Sequence, residues 1–350
     1  MVHVSTSASV RHMRRTATAV GTLLLAAVTA CSPQSPQRAE PPELGEIPRT
    51  VGVERLHLPI ERHMLTPRQA LDFDQASDTA VRACMRRLSV PYPAATRPPA
   101  GSAAEREALD AYTVLYRRYG LTDAASARTW GYHTPTAASS AAAAKAVKPK
   151  APSTAARRVL TGVDTSGTPL TSYRGRPVPQ GGCLGEAERL LGARGPLGPG
   201  TDPDGIAARI KADSFERSMA DPRVTKVFSA WSACMDARGF RMLTPMDEVP
   251  SANAAAPSRQ EIAQARADVA CKARTNLVGV WFAVESAYQK AAITEHGEEL
   301  DRVTAARDTT LRAIDRLSHS HDASHSHDAS HSHDESHNHD ESRNHDKGES

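Results

Sequence analysis

A chain of 350 residues with 24 prolines and 4% aromatic residues can build one or two modest helical units, and its composition excludes a large barrel. The formal charge of +3 carries no long basic run and few aromatics beside the charges, so a nucleic-acid-binding signature is absent. That charge fits at most a mild attraction to anionic membrane or wall polymers.

Residues 1–30 read as an export signal, with Arg11, Arg14 and Arg15 ahead of an apolar run that ends in Leu23, Leu24, Leu25, Ala26, Ala27 and Val28. The run is shorter than the roughly 20 apolar residues that span a bilayer. Val28-Thr29-Ala30-Cys31 resembles the bacterial lipobox. The resemblance implies a diacylglycerol on Cys31, cleavage before it, and attachment to the extracytoplasmic face of the cell membrane. Each buried methylene contributes about 0.8 kcal/mol, and stable anchoring takes at least two chains. Arg14-Arg15 leaves Sec and twin-arginine export both open.

Residues 31–50 are Pro-rich and are expected to form a disordered tether to a helical body over 51–317. Thr66-Pro67 opens a helix with a capping residue followed by proline, and Phe73, Ala76, Ala80, Cys84 and Leu88 continue at helical spacing until Pro91. Ser102 and Glu105 form a capping box, predicting a helix through Leu109, Tyr112, Tyr116 and Tyr119 to Gly120. A short helix is expected from Thr122 to Trp130, followed by a flexible Ala/Ser insert over about 136–156.

After a Gly/Pro-dense stretch, short helices are expected from Cys183 to Leu191 and from Asp204 to Met219. Asp221-Pro222 opens the cleanest helix, with Val224, Val227, Phe228, Trp231, Cys234 and Met235 as one apolar stripe. Ser258 and Glu261 begin the last one, whose pattern runs to Leu317. Unbroken beyond Cys271, it would be about 70 Å long, so a bend near Gly279 or Gly297 is expected. The fold class is therefore all-α, a small disulfide-linked helical body with a long C-terminal helix and disordered flanks.

Beyond Cys31 four cysteines remain, Cys84, Cys183, Cys234 and Cys271. An even number in an exported chain favours two disulfides over zinc, which prefers closely spaced CxxC pairs. Three connectivities exist. Cys84 with Cys183 and Cys234 with Cys271 is preferred, because Cys84-Met85 and Cys234-Met235 each end a helical pattern and each is followed by one further cysteine.

Trp231-Ser232-Ala233-Cys234-Met235 with Gly239-Phe240, then Ala267-Asp268-Val269-Ala270-Cys271, resembles a family of actinobacterial, Streptomyces-like exported lipoproteins. The similarity takes in Arg118-Tyr119-Gly120, Gly131-Tyr132-His133 and Val178-Pro179-Gln180-Gly181-Gly182-Cys183. It implies a fold and a compartment and brings no active site with it.

The chemistry concentrates in residues 318–350, a drifting SHSHDA repeat that holds nine of the fifteen histidines: His319, His321, His325, His327, His331, His333, His337, His339 and His345. Neutral imidazoles beside carboxylates are ligands for zinc, nickel or copper, although no such ion is required by the rest of the chain. A solubilising tail and a proton sensor are the competing uses, since protonation near pH 6.5 would turn an acidic segment basic. No GxSxG, HExxH or phosphate-binding glycine loop occurs. His57, His63, His133 and His296 are scattered, and Glu295, Glu298 and Glu299 beside His296 read as a solvated helix face.

The expected function is a lipid-anchored, non-enzymatic envelope protein of interaction or structural role whose tail takes divalent metal ions. A metal-delivery or solute-binding lipoprotein is the alternative, and an enzyme of unrecognised type is the third. The partners implied are the membrane and metal ions, without nucleic acid.

Overall fold

Proline after a capping side chain starts the first long helix, and the same device recurs along the chain of this computed structural model. The structure describes residues 40–93, 97–134, 152–192, 205–249 and 256–334, with side chains to His319. After a 3₁₀ turn at Pro59–His63 come α1 (Pro67–Arg87), α2 (Ala103–Tyr112), α3 (Ala124–Trp130) and α4 (Thr154–Thr161). A two-residue hairpin pairs β1 (Ser172–Tyr173) with β2 (Arg176–Pro177). Then follow α5 (Gly182–Leu191), α6 (Ile206–Met219), α7 (Pro222–Asp236), α8 (Arg259–Thr275), α9 (Leu277–Glu295) and α10 (Gly297–Asp334). The protein is all-α, with a long C-terminal helix.

Helix starts agree closely with the sequence reading. Thr66 Oγ1 accepts from Gln69 N while Gln69 Oε1 accepts from Thr66 N. Asp221 caps α7 and Ser258 caps α8.

Two expectations are corrected, and a third is met with one addition. The helix from Ser102 stops at Tyr112 instead of reaching Gly120. Its Thr113 hydroxyl turns back to Leu109 O, Arg117 takes a left-handed φ of 51°, and Arg118 and Tyr119 are drawn inward to Glu285. The expected flexible insert over about 136–156 is helical at its end, where α4 (Thr154–Thr161) begins, while residues 135–151 lie outside the described residues. The α4 C-cap Gly162 packs against Gly182 so closely that a Cβ on either would overlap the other's backbone. The last helix breaks at His296–Gly297, as expected, and also at Asn276, three residues before Gly279. Asn276 adopts φ 53°, and its side chain donates to Pro48 O, where residues 48–50 cross the helix. Asparagine tolerates this left-handed conformation better than most residues.

Two further differences concern the flanks. Residues 41–50, placed in the tether by sequence, lie on the body, where Arg223 Nη1 donates to Pro42 O at 2.9 Å. The α10 backbone passes Leu317, where the body was expected to end, and stays helical to Asp334. Helix propagation is cooperative, so a docked helix extends into an adjoining segment at little added cost. Cys31 and residues 335–350 lie outside the described residues.

The main core surrounds Trp281, fully buried on α9 and ringed by Tyr119, Phe215 and Phe228 with centroids 4.9, 5.3 and 4.9 Å away. A second cluster joins α1, α4 and α5, and a third packs α10 on α1. Both disulfides have the preferred pairing, Cys84–Cys183 and Cys234–Cys271. Cys84–Cys183 ties α1 to α5, and Cys234–Cys271 ties α7 to α8.

Candidate functional site

The turn-rich segment between α2 and α3 folds over the 3₁₀ turn and the start of α1, and between them lies an open groove of about 770 Å³. Its walls are largely apolar, with Val53, Leu56, Met64, Val114, Leu115 and Leu121 among them. Tyr116 on one wall remains exposed. The charged groups along it are four carboxylates, Glu54, Glu61, Asp110 and Asp123, and two guanidinium groups, Arg106 and Arg117.

The carboxylates differ in state. Burial raises the Asp110 carboxyl, against the pull of Arg106 and Arg117. Asp123 is exposed; desolvation pulls its carboxyl up, but hydrogen bonds from Ser126 and Ala125 prevail and hold it low, as expected of an N-cap. Arg117 is pinned to the carbonyls of Tyr132 and His133 at 2.7 and 2.9 Å, and so fixes the groove's floor to the segment after α3.

Beneath the floor runs a buried polar network. Glu285 on α9 accepts from Arg118 Nε at 2.8 Å, from Tyr119 Oη at 2.9 Å and from Gln289 Nε2 at 3.1 Å. Gln289 Oε1 in turn accepts from Ile60 N of the 3₁₀ turn. Burial, then the neighbouring Glu285, pushes the Tyr119 phenol well above its ordinary range. On α8, Lys272 Nζ donates to Asp268 Oδ2 at 3.1 Å and to Leu121 O at 2.8 Å, directly under the groove. Trp231 Nε1 completes Asp268 at 3.0 Å. Burial drives the Lys272 ammonium down and the Asp268 carboxyl up, and their mutual attraction opposes both shifts.

A second buried pair flanks the first. Glu261 Oε1 accepts from Tyr132 N at 2.9 Å, and Glu261 Oε2 lies 3.4 Å from His133 Nε2. The residues singled out by sequence as Arg118-Tyr119-Gly120, Gly131-Tyr132-His133, Trp231 and Asp268 thus converge on this network. Arg118 and Tyr119 reach Glu285, Tyr132 and His133 reach Glu261, and Trp231 reaches Asp268. Of these residues Gly120 lines the groove, and the others lie outside its lining.

The sequence-predicted site residues behave differently. The four body cysteines are all in disulfides. His57 is exposed beside Glu61, His63 is buried against Thr304, His133 faces Glu261, and His296 caps α9, so the four stand apart. Among the described residues no group of three or more His, Cys, Asp or Glu is gathered in a way that could hold a metal ion. In the tail, His319 Nδ1 lies 2.7 Å from Asp315 O; His321, His325, His327, His331 and His333 belong to the helical backbone of α10. His337, His339 and His345 lie outside the described residues.

Sequence reasoning missed Glu261, Asp268, Lys272, Glu285 and Gln289 as buried polar groups. The signal was present in their spacing. Glu261, Asp268 and Lys272 share a stripe with Ala265, and Glu285 and Gln289 continue the stripe of Val278 and Trp281. A charge at an apolar-stripe position marks a buried partner rather than a solvated face.

No helix among the described residues is long and apolar enough to cross a membrane. No protein-family model, curated protein or solved structure matches the chain.

Proposed function

We propose that this chain is a lipid-anchored extracytoplasmic envelope protein with a non-enzymatic, interaction role, held at the membrane through Cys31. Its helical body presents the groove to a partner, and its His/Asp/Ser tail takes divalent transition-metal ions. The observation that carries the compartment is the pairing of all four body cysteines across 99 and 37 residues of chain, an arrangement that persists in oxidising surroundings and is rare where thiols are kept reduced. The observation that favours interaction is a groove with apolar walls over a rigid, hydrogen-bonded floor.

A solute-binding or metal-delivery lipoprotein is the second reading, and the same groove favours it, since about 770 Å³ lies within the range of small-molecule sites. The test of the anchor is fractionation of cells producing the wild type and Cys31→Ala. The wild type should partition with membranes and take up labelled fatty acid. The variant should appear in the soluble fraction or as unprocessed precursor. Equal membrane partition without lipid label in both would overturn the reading.

A further inference from the structure

The two disulfides are not in equivalent surroundings. Both sulfurs of Cys84–Cys183 belong to residues with no exposed surface, and among the described residues no hydrogen-bond donor reaches them. Cys234–Cys271 carries a cation. Arg238, one turn beyond Cys234 and exposed, places Nη1 2.7 Å from Cys234 Sγ and 3.2 Å from Cys271 Sγ. The same nitrogen donates to Cys234 O at 3.1 Å, and no carboxylate among the described residues pairs with this guanidinium. Its charge is therefore directed at the two sulfurs. Cys234 also retains 7% exposure, whereas Cys271 has none.

We propose that Cys234–Cys271 is a thiol-exchange site, opened by an external thiol, in which Arg238 stabilises the departing thiolates. An external thiolate attacks Cys234 Sγ, the sulfur of the residue that retains slight exposure, forming a bond to it while the bond between Cys234 and Cys271 breaks. Both electrons of that bond leave on Cys271 Sγ, beside Arg238. A second thiolate attacks the external sulfur of the mixed disulfide and expels the Cys234 thiolate, again beside Arg238. The two protein thiolates take up the protons released by the two external thiols. The protein disulfide is reduced, and the two external thiols are oxidised to one disulfide. The substrate class is a small thiol, or a protein dithiol that supplies both sulfurs. Leaving-group stabilisation accelerates exchange, and a guanidinium in contact with the sulfur supplies it.

The body tolerates the opening because α7 and α8 remain joined by Trp231 Nε1 to Asp268. The exchange site thus loosens one helix pair without releasing the fold.

The test exposes the purified protein to graded dithiothreitol under native conditions, traps free thiols by alkylation, and maps them by peptide mass. Cys234 and Cys271 should be labelled while Cys84–Cys183 remains intact. Arg238→Gln should slow the opening by about 3- to 10-fold, because a leaving thiolate without a neighbouring cation departs more slowly, and Arg238→Lys should restore much of the rate. Because Arg238→Gln could disturb the fold, a second measurement uses the wild type alone. Mercaptoethanesulfonate, an anionic thiol, should open this disulfide faster than cysteamine at equal thiolate concentration, and salt should erase the difference. Opening of Cys84–Cys183 first, an unchanged rate in Arg238→Gln, or equal rates for the two thiols would each overturn the proposal.

Discussion

Lys272 occupies the space that a side chain on residue 120 would need. A Cβ added at Gly120 would fall 2.9 Å from Lys272 Nζ and 3.0 Å from Pro245 O, and Gly120 has a φ of 72° that suits glycine. The floor of the groove and the buried ion pair on α8 are thus one construction, because the ammonium needs Leu121 O within reach as well as Asp268.

Removing one member of the pair should therefore cost more than removing both. Lys272→Ala leaves the Asp268 carboxylate buried with only the neutral donors Trp231 Nε1 and the Tyr132 hydroxyl, and a loss of about 3–5 kcal/mol is expected. The double replacement Asp268→Leu with Lys272→Met removes both charges and should lie closer to wild type than Lys272→Ala does. Urea unfolding of the wild type, the two single variants and the double variant measures this. A double variant that loses as much as the sum of Lys272→Ala and Asp268→Leu would mean that the pair is not coupled.

His63 gives the body an acid-side weakness. Burial, then Arg62 and Arg307, lowers its pKa below the ordinary value of 6.5, while Asp301 pulls weakly the other way. Its ring contacts are Arg62 Nε at 2.9 Å and Thr304 Oγ1 at 2.9 Å. A histidine with a lowered folded pKa binds its proton more readily when unfolded. The contribution is fully present above about pH 6.5 and is lost as the pH falls from there through the folded value. Melting temperature of the wild type should fall between pH 7 and pH 5 more steeply than that of His63→Gln. Parallel curves would remove His63 as the cause.

The Cys84–Cys183 bridge closes a loop of about 100 residues, for which chain entropy gives a contribution of about 4–5 kcal/mol. Paired replacement of Cys84 and Cys183 by alanine should lower stability by an amount of that order and loosen α1 from α5. Chemical denaturation with near-ultraviolet dichroism reads both effects.

What could be read in the sequence followed from local chemistry. Caps followed by proline marked the starts of α1 and α7, and an even set of cysteines after helical stripes suggested the pairing. What escaped depended on distant partners. Asn276 breaks the helix because residues 48–50 pass over it, a contact spanning 228 positions. The helix from Ser102 ends early because Glu285, 167 positions away, draws Arg118 inward. Even the Ser102 capping box was half right. Ser102 Oγ accepts from Glu105 N as expected, but the Glu105 carboxylate takes Gly101 N and Arg68 instead of the backbone of Ser102. The groove has no sequence signature, because its walls come from two stretches, 53–67 and 106–126, that meet only in the fold.

The tail offers the most direct chemical test. Imidazoles ligate metal only when neutral, so zinc or nickel should bind the full chain well near pH 7.5 and progressively less toward pH 5.5, as protons compete for the same nitrogens. His321 and His325, and likewise His327 and His331, are four residues apart within the helical backbone of α10, and residues at that spacing share a helix face. Binding should therefore raise helicity in far-ultraviolet dichroism as well as release protons. Several weak to moderate sites are expected, since each ion must order part of a polar segment that has nothing apolar beyond alanine to bury. Deleting residues 318–350 should abolish binding and leave the melting temperature of the body nearly unchanged, because among the described side chains the last of α10 in the core is Leu317. Calorimetric titration of full and truncated proteins with zinc and nickel measures both. If the truncated body binds with the same affinity, the ligands lie among His57, His63, His133 or His296, and the assignment of metal to the tail fails.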